Sequence, residues 1–282
     1  MLKINKIQVD WSQMPTGITW MIIGAPKTGK STQASQWSEK GREGVLLLDT
    51  DLGSDFIDGA QSIPITSLNA PERVKMNKDG TPVITKDGVP LMEEIAPDER
   101  GYVYRNGPNK GKPMPVYSMA EVVFDLIDNW NSYGIDTIVV DTVGVVNEWI
   151  EKEVAPNGMG GDFGRSHGIA SGKNIDIMLK LQNLVKKHGG TLIMISHSKK
   201  TTEVDGKVQL SPELPSGLAN RMCAKADIIG YTTIDKKTQQ HMISFVGYDE
   251  RSVGSRIKPL HGKTLPFDYN AVKSEITGYK EK

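Results

Sequence analysis

The sequence predicts an α/β protein built on a mostly parallel central sheet with helices on both faces. Four short runs are aliphatic at successive positions, and they lie at residues 18–24, 44–50, 136–142 and 191–197. A strand with one solvent face would alternate apolar and polar residues, so these runs predict strands that are buried on both faces. Helical patterns lie between the runs, and this alternation is typical of an open parallel sheet.

Three helices are predicted from loop signals and apolar periodicity. Residues 31–40 directly follow a glycine-rich loop, and residues 172–188 end before a pair of glycines. Residues 119–132 follow Ser118 and Glu121, which have the spacing of a capping box. The predicted apolar face of this helix consists of Val123, Ile127 and Trp130.

Two later runs, 226–234 and 241–248, predict an antiparallel hairpin at the sheet edge near the C-terminus. Residues 70–117 are polar, rich in Gly, Pro and Lys, and use the turn Lys-Asp-Gly twice, so we predict a β-hairpin-like surface insertion rather than a second domain. Residues 155–172 carry six glycines and predict a long loop between two helices. The whole chain, 1–282, is expected to be a single domain.

The composition excludes several classes of protein. Lys plus Arg equals Asp plus Glu at 34 each, which argues against a histone-like basic coat but allows a local basic surface. Cys223 is the only cysteine, so no internal disulfide can form, and its setting favours an inert apolar role. No apolar run reaches the roughly 18 residues of a membrane span, so we expect a cytoplasmic protein with no membrane partner.

One motif predicts nucleotide binding. The run GAPKTGKS fits G-x-x-x-x-G-K-[ST] and stands between a buried strand and a helix. Its backbone N–H groups and the helix N-terminus are suited to phosphates, Lys30 to the β- and γ-phosphates, and the Ser31 hydroxyl to Mg²⁺. The predicted nucleotide-binding residues are Gly24, Ala25, Pro26, Lys27, Thr28, Gly29, Lys30, Ser31 and Thr32.

Acidic residues end two of the predicted strands. Asp141 ends the third run and should lie beside the phosphate-binding loop, where it can hold the metal, whereas Asp136 begins that run and is expected to be structural. Asp49 and Asp51 follow the second run. The residues alone allow Asp51 to be either a turn cap or the base that orients the attacking water.

With these motifs in this order, the chain resembles the RecA/RadA/DnaB superfamily over residues 15–260, and within it the phage-type AAA nucleotide-binding proteins, which include core-only recombinases that assist single-strand annealing. The resemblance implies ATP and Mg²⁺ as ligands. It gives Asp51 the role of catalytic base, at a position where the family usually has Glu, and gives His197 the role of sensing the γ-phosphate.

The resemblance also implies partners. Two loops, at residues 155–172 and 198–211, would bind single-stranded DNA, and a basic residue would reach the ATP site of a neighbouring subunit in a homo-oligomer, either a ring or a filament. A single-strand-binding protein is a further expected partner, and a phage-encoded chain would act in the host cytoplasm. The residues concerned are Arg165, His167, Lys199, Lys200 and Lys207 for DNA, and Arg251, Arg256 and Lys258 for the interface.

Three other functions stay open at this point. The first is a ring-forming motor of the helicase type, and the second is a nucleotide switch with little turnover, because Asp51 is one methylene shorter than Glu. The third is a small-molecule kinase, which ranks lower because the insertion has only Arg73, Arg100 and Arg105, scattered, in place of an arginine-rich lid.

Overall fold

A parallel sheet forms the centre of the protein, as the aliphatic runs predict. In this computed structural model, residues 9–158, 164–202, 208–247 and 253–280 are described, with the backbone alone at 201, 202, 208 and 209. The strands are β1 Ile18–Gly24, β2 Val45–Asp49, β3 Ser62–Ser67, β4 Glu72–Val74, β5 Met92–Glu94, β6 Tyr117–Ser118, β7 Thr137–Asp141, β8 Thr191–Thr202, β9 Val208–Pro212, β10 Ile228–Ile234, β11 His241–Ser244, β12 Gly254–Ser255 and β13 Thr264–Pro266. Strands β10, β1, β8, β7, β2, β3 and β6 lie side by side in that order and run parallel.

Antiparallel strands extend this sheet. The predicted hairpin is confirmed as β10 and β11, and β13 pairs with β11 at the outer edge. Strand β9 pairs with the far end of β8, and β12 pairs with the beginning of β10. The helices are α1 Lys30–Ala34, α2 Met119–Tyr133, α3 Val143–Val154, α4 Arg165–His188, α5 Ser216–Lys225 and α6 Tyr269–Thr277.

Both faces of the sheet are buried, which explains why its strands lack alternation. In β1, Met21 and Ile23 pack on one face with α2, α3, α4 and α5. Trp20 and Ile22 pack on the other face with α6 and an aromatic cluster. Every residue of β1, β2 and β7 is buried.

The capping box is confirmed, while the predicted apolar face of α2 and two predicted loops are wrong. Ser118 and Glu121 make both capping-box hydrogen bonds at the start of α2. Ile127 is 45% exposed, because the buried face of α2 passes through Leu126 and Trp130 instead. The predicted loop 155–172 is helical from Arg165, and the predicted loop 198–211 is largely the antiparallel ribbon of β8 and β9.

Helix α1 ends at Ala34, six residues before its predicted end. The chain turns there because Trp37 is drawn into the core, with its ring 5.0 Å from that of Trp20 and 5.5 Å from that of Phe267. Tertiary burial of a large aromatic ring therefore overrides local helix propensity.

Residues 70–117 form a thin antiparallel structure on the surface. Strand β4 pairs with β5, and single bridges join Met76 to Pro82, Ile84 to Pro90 and Val103 to Pro113.

Two further observations concern the chemistry of the chain. Burial raises the pKa of the Cys223 thiol to about 11, which keeps it in the unreactive protonated form. Among the described helices, none combines the length and apolar character needed to cross a membrane.

Candidate active site

The phosphate-binding loop leaves β1 at Gly24 and enters α1 at Lys30. Two of its residues adopt left-handed backbone conformations, Lys27 with φ 65° and Gly29 with φ 81°. The buried Lys30 Nζ donates to the carbonyl oxygens of Gly24 at 3.1 Å and Ala25 at 2.8 Å. Burial lowers the pKa of Lys30, and the nearby carboxylates of Asp141 and Asp51 oppose that shift. The ammonium is thus held inside the loop where a phosphate would lie.

The helix after the loop contributes less than the sequence suggests. Because α1 has only five residues, its dipole is short, and an anion here depends mainly on backbone N–H groups and on Lys30. Ala25, Pro26 and Lys27 are exposed on the rim, whereas Thr28 is buried.

Two residues outside the motif support the loop, and sequence reasoning missed both. The Thr232 hydroxyl lies 2.7 Å from that of Thr28, which also donates to the Ala25 carbonyl. The Nδ1–H of His241 donates to the Thr28 carbonyl at 3.0 Å, and the imidazole packs directly against Gly29. Neither residue belongs to a motif. Their position follows from the pairing of β10 with β1 and of β11 with β10.

The strand register brings the other predicted residues to the same edge of the sheet. Gly24 is aligned with His197 across β1 and β8, and Asp141 is aligned with Asp49 across β7 and β2. Strand β8 lies between β1 and β7, so His197 stands between the phosphate-binding loop and Asp141. Its Nδ1 is 3.5 Å from Lys30 Nζ.

Asp141 and Ser31 form a pair of oxygen donors. Asp141 is buried, and this burial raises the pKa of its carboxyl to about 6, despite a hydrogen bond from the Ser31 hydroxyl; the acids Asp51 and Asp49 add to the increase. Within the described residues, no cluster of three or more His, Cys, Asp or Glu side chains could hold a metal ion unaided. One hydroxyl and one carboxylate fit Mg²⁺, which takes its remaining ligands from water and substrate phosphates.

The two acids after β2 have different surroundings. The buried Asp49 carboxylate accepts the backbone N–H groups of Gly53 at 3.0 Å and Ser54 at 2.9 Å, so Asp49 is the turn cap. Asp51 is exposed, and no hydrogen bond to its carboxylate is found from the described residues. Although the residue as a whole is exposed, partial burial of the Asp51 carboxyl raises its pKa. The nearby His197 opposes this increase, and the carboxylates of Asp49 and Glu148 add to it. Of the two readings of Asp51, this geometry favours the one in which it faces the substrate.

A reciprocal contact fixes the backbone beside both acids. Thr50 Oγ1 donates to the Thr142 carbonyl at 3.0 Å and accepts the Thr142 N–H at 2.7 Å. The Thr50 N–H donates to the Asp141 carbonyl at 2.8 Å. The ends of β2 and β7 are therefore joined, which holds Asp51 near Asp141. Asp136, at the opposite end of β7, accepts hydroxyls from Ser38 and Thr137, as its structural role requires.

The residues predicted to bind DNA lie in two places. Lys199 and Lys200 follow His197 along β8; Lys199 donates to the Leu214 carbonyl, and Lys200 is exposed. Arg165 and His167 are exposed on the first turn of α4. Lys207 lies outside the described residues.

Of the predicted interface residues, Arg256 is remote from the phosphate-binding loop of its own chain. Arg256 forms an ion pair with Asp227 at 2.9 Å, beside the start of β10 and so at the opposite edge of the sheet. Lys258 Nζ lies 6.0 Å from the centre of the Tyr279 ring. Arg251 lies outside the described residues, and the interface role of all three stays a prediction.

A family model described as an AAA domain matches residues 16–257. No curated protein matches the chain. The matched range includes every residue of the site described above, from Gly24 to His241.

Proposed function

This chain belongs to the AAA-domain family that spans most of its length, and we propose that it is a Mg²⁺-dependent ATPase that binds single-stranded DNA and assists recombination or strand annealing as a homo-oligomer. Membership in the family gives it a nucleotide-binding P-loop NTPase core. The observation that carries the catalytic part is the convergence of Lys30, Asp141, His197 and Asp51 at one edge of the sheet.

Each residue has a chemical task in ATP hydrolysis. Lys30 places positive charge at the transferred phosphate, and Ser31 with Asp141 would hold Mg²⁺, which neutralises charge on the phosphate oxygens when bound. Asp51 accepts a proton from the attacking water. At the same time the water oxygen forms a bond to the γ-phosphorus, and the bond between that phosphorus and the bridging oxygen of ADP breaks. The raised pKa of Asp51 makes it a better base near neutral pH.

Paired substitutions test the catalytic assignment. Asp51→Asn should preserve ATP binding and reduce turnover by roughly 100-fold or more, because an amide cannot accept the proton. Asp141→Asn should weaken Mg²⁺-dependent ATP binding as well. The measurements are ATP turnover and nucleotide affinity with and without Mg²⁺. Parent-like turnover in folded Asp51→Asn would refute the role of Asp51.

The DNA proposal is supported by the continuity of β8. His197 lies beside Lys30, and three residues further along the same strand Lys200 is exposed. If the γ-phosphate displaced His197, the β8–β9 ribbon would move with it, because His197 belongs to β8. Because the formal net charge is zero, binding to nucleic acid has to depend on such local cations.

Single-stranded oligonucleotide binding across a salt series tests this proposal. Lys200→Ala should reduce the log–log salt slope by about 0.7 for one lost phosphate contact, with ATP affinity unchanged. Lys187→Ala is the matched control, since Lys187 is exposed at the C-terminal end of α4, near the opposite sheet edge, and should leave the slope unchanged. If the parent protein shows no binding at low salt, the DNA-binding proposal is wrong.

The homo-oligomer proposal places one subunit over the ATP site of the next. Arg256 lies beside the start of β10, at the edge opposite the phosphate-binding loop, so stacking of subunits edge to edge would bring it toward a neighbour's nucleotide. Sedimentation with ATP and DNA measures the assembly, and an active monomer would contradict it.

A nucleotide switch is the second candidate, favoured by the short, exposed side chain of Asp51. Slow turnover in the parent, with a clear gain in Asp51→Glu, would support the switch.

A further inference from the structure

We infer that Arg105, in the surface insertion, is a positioning residue for Asp51, so that the insertion controls the rate of hydrolysis. This inference rests on the proposed function, because it assumes that Asp51 is the base. The sequence predicts that residues 70–117 form a surface insertion, and the contacts of Arg105 link this insertion to the loop that follows Asp51.

Arg105 connects the insertion to the loop that follows Asp51. It follows the hairpin segment in which Tyr104 exchanges backbone hydrogen bonds with Lys112 and Gly111. Its Nε donates to the Asp55 carboxylate at 2.7 Å, and its Nη2 donates to the Leu52 carbonyl. The guanidinium also lies 5.6 Å from the centre of the Phe56 ring.

These contacts fix a backbone conformation that is costly to hold. Leu52 has φ 52°, in the left-handed region, which a residue with a side chain adopts only at an energetic cost. Such a conformation persists only where its surroundings hold it. Arg105 binds the carbonyl of Leu52 itself, one residue after Asp51, and the Asp55 side chain three residues further on.

Asp51 therefore lies between two anchors. On the sheet side, its N–H and that of Thr50 are directed at the Asp141 carbonyl, and Asp49 caps Gly53 and Ser54. On the outer side, the anchor is Arg105. Since no side-chain hydrogen bond from the described residues fixes the Asp51 carboxylate, its position depends on the backbone of residues 50–54. A displacement of about 1 Å in a catalytic group can cost up to about 100-fold in rate.

Steady-state ATP turnover by Arg105→Ala tests the inference. We expect kcat to fall by about 10-fold or more while KM for ATP stays within about twofold, because the phosphate-binding loop is untouched. Arg105→Lys should recover part of kcat, since an ammonium can pair with Asp55 but cannot also donate to the Leu52 carbonyl in the way that the guanidinium does. Arg73→Ala is the matched control: Arg73 is equally exposed, pairs with Glu93 and Glu99 inside the insertion, and should leave kcat unchanged.

A double-mutant cycle and hydrogen exchange separate positioning from general instability. Asp55→Ala should lower kcat as Arg105→Ala does, and the double variant should lose little more. In Arg105→Ala, the Gly53 and Ser54 amides should exchange faster, whereas the amides of β1 should not change.

The outcomes distinguish the inference from the proposed function. If the parent hydrolyses ATP, Asp51→Asn does not, and Arg105→Ala retains the parental kcat, the inference is overturned while the proposed function stands. If Asp51→Asn turns over at the parental rate, the proposed role of Asp51 fails and the inference fails with it. A fall in kcat that the Arg73→Ala control reproduces also overturns the inference, because the effect would then be general.

Discussion

Strands β2 and β7 lie side by side with every residue buried, whereas β4 and β5 of the insertion expose most of theirs. The first pair is covered by helices on both faces. The second pair belongs to a surface structure whose apolar side chains include Met76, Ile84, Val89 and Val103, each at least half exposed.

The two regions are stabilised by different interactions. Burial of aliphatic surface stabilises the sheet, at about 25 cal/mol per Å². In the insertion only Met114 and Val116, near its end, are buried apolar side chains among those described, and hydrogen bonds and ion pairs attach the remainder to the rest of the protein. The strongest joins the buried Arg100 to Glu121 in the capping box of α2, with two N–H···O bonds of 2.8 Å. A region that is stabilised by a large buried apolar surface tolerates the loss of one contact. A region that is attached by a few hydrogen bonds and ion pairs depends on each of them.

The largest expected effect lies on the sheet side. Lys30→Ala should abolish detectable ATP binding or turnover, because the only ammonium inside the loop is lost. Lys27→Ala is the matched control, since Lys27 is in the same loop but exposed on its rim, and it should bind ATP with an affinity within a few-fold of the parent. Calorimetric titration with ATP and Mg²⁺ measures both. Normal binding by folded Lys30→Ala would remove the NTPase interpretation.

The next effect tests whether the insertion depends on point contacts. Arg100→Met should lower the free energy of unfolding by about 2–4 kcal/mol, since it leaves Glu121 and two backbone carbonyls without their donor. Arg73→Met removes exposed ion pairs with Glu93 and Glu99 and should lower the free energy of unfolding far less, because solvent screens such pairs. Denaturant unfolding gives the global values, and hydrogen exchange shows whether residues 70–117 open first. Equal effects of the two substitutions would contradict the comparison.

The sequence predicts the buried sheet better than it predicts the contacts between distant segments. The aliphatic runs predict the buried strands and the motif predicts the loop, because both signals are local. The support of the loop by Thr232 and His241 depends on strand pairing across more than 200 positions, and no local pattern contains it. Arg105 meets Leu52 across 53 positions for the same reason. Point contacts between distant segments are the part of the structure that sequence patterns do not predict.

Two carboxyl groups with shifted pKa values, Glu121 and Asp141, should make the stability of the protein depend on pH in opposite directions. Chiefly through its hydrogen bonds with Arg100, the pKa of Glu121 falls to about 2, so its contribution is present above its unfolded value near 4.5 and is lost as pH falls toward 2. Burial raises the pKa of Asp141 to about 6, so without nucleotide it costs stability as pH rises from about 3.8 through 6.

Unfolding of two variants across pH 3–8 measures these contributions. Glu121→Gln should be destabilised by about 1–2 kcal/mol at pH 6, because solvent screens the partly exposed carboxylate, and the difference should shrink as pH falls below 4.5. Nucleotide-free Asp141→Asn should be more stable than the parent above pH 6, by at most about 3 kcal/mol, with no difference near pH 3. If both variants track the parent at every pH, the two environments do not differ as described.

The smallest effect comes from a pair of glycines with the same backbone conformation in the two regions. Gly29 and Gly80 both have φ 81°, so alanine strains the backbone by about 1 kcal/mol at either position. Their surroundings differ. A Cβ on Gly80 would meet nothing within 4 Å, whereas a Cβ on Gly29 would lie 2.6 Å from Nδ1 of His241.

Gly80→Ala should therefore cost only the backbone term, about 1 kcal/mol in unfolding free energy, with turnover unchanged. Gly29→Ala should cost about 2 kcal/mol and weaken ATP binding, because the imidazole has to move and release the Thr28 carbonyl. Gly29→Ala combined with His241→Ala removes the clash, so the combined variant should be less destabilised than the sum of the two single changes. Strict additivity would show that His241 does not press on the loop.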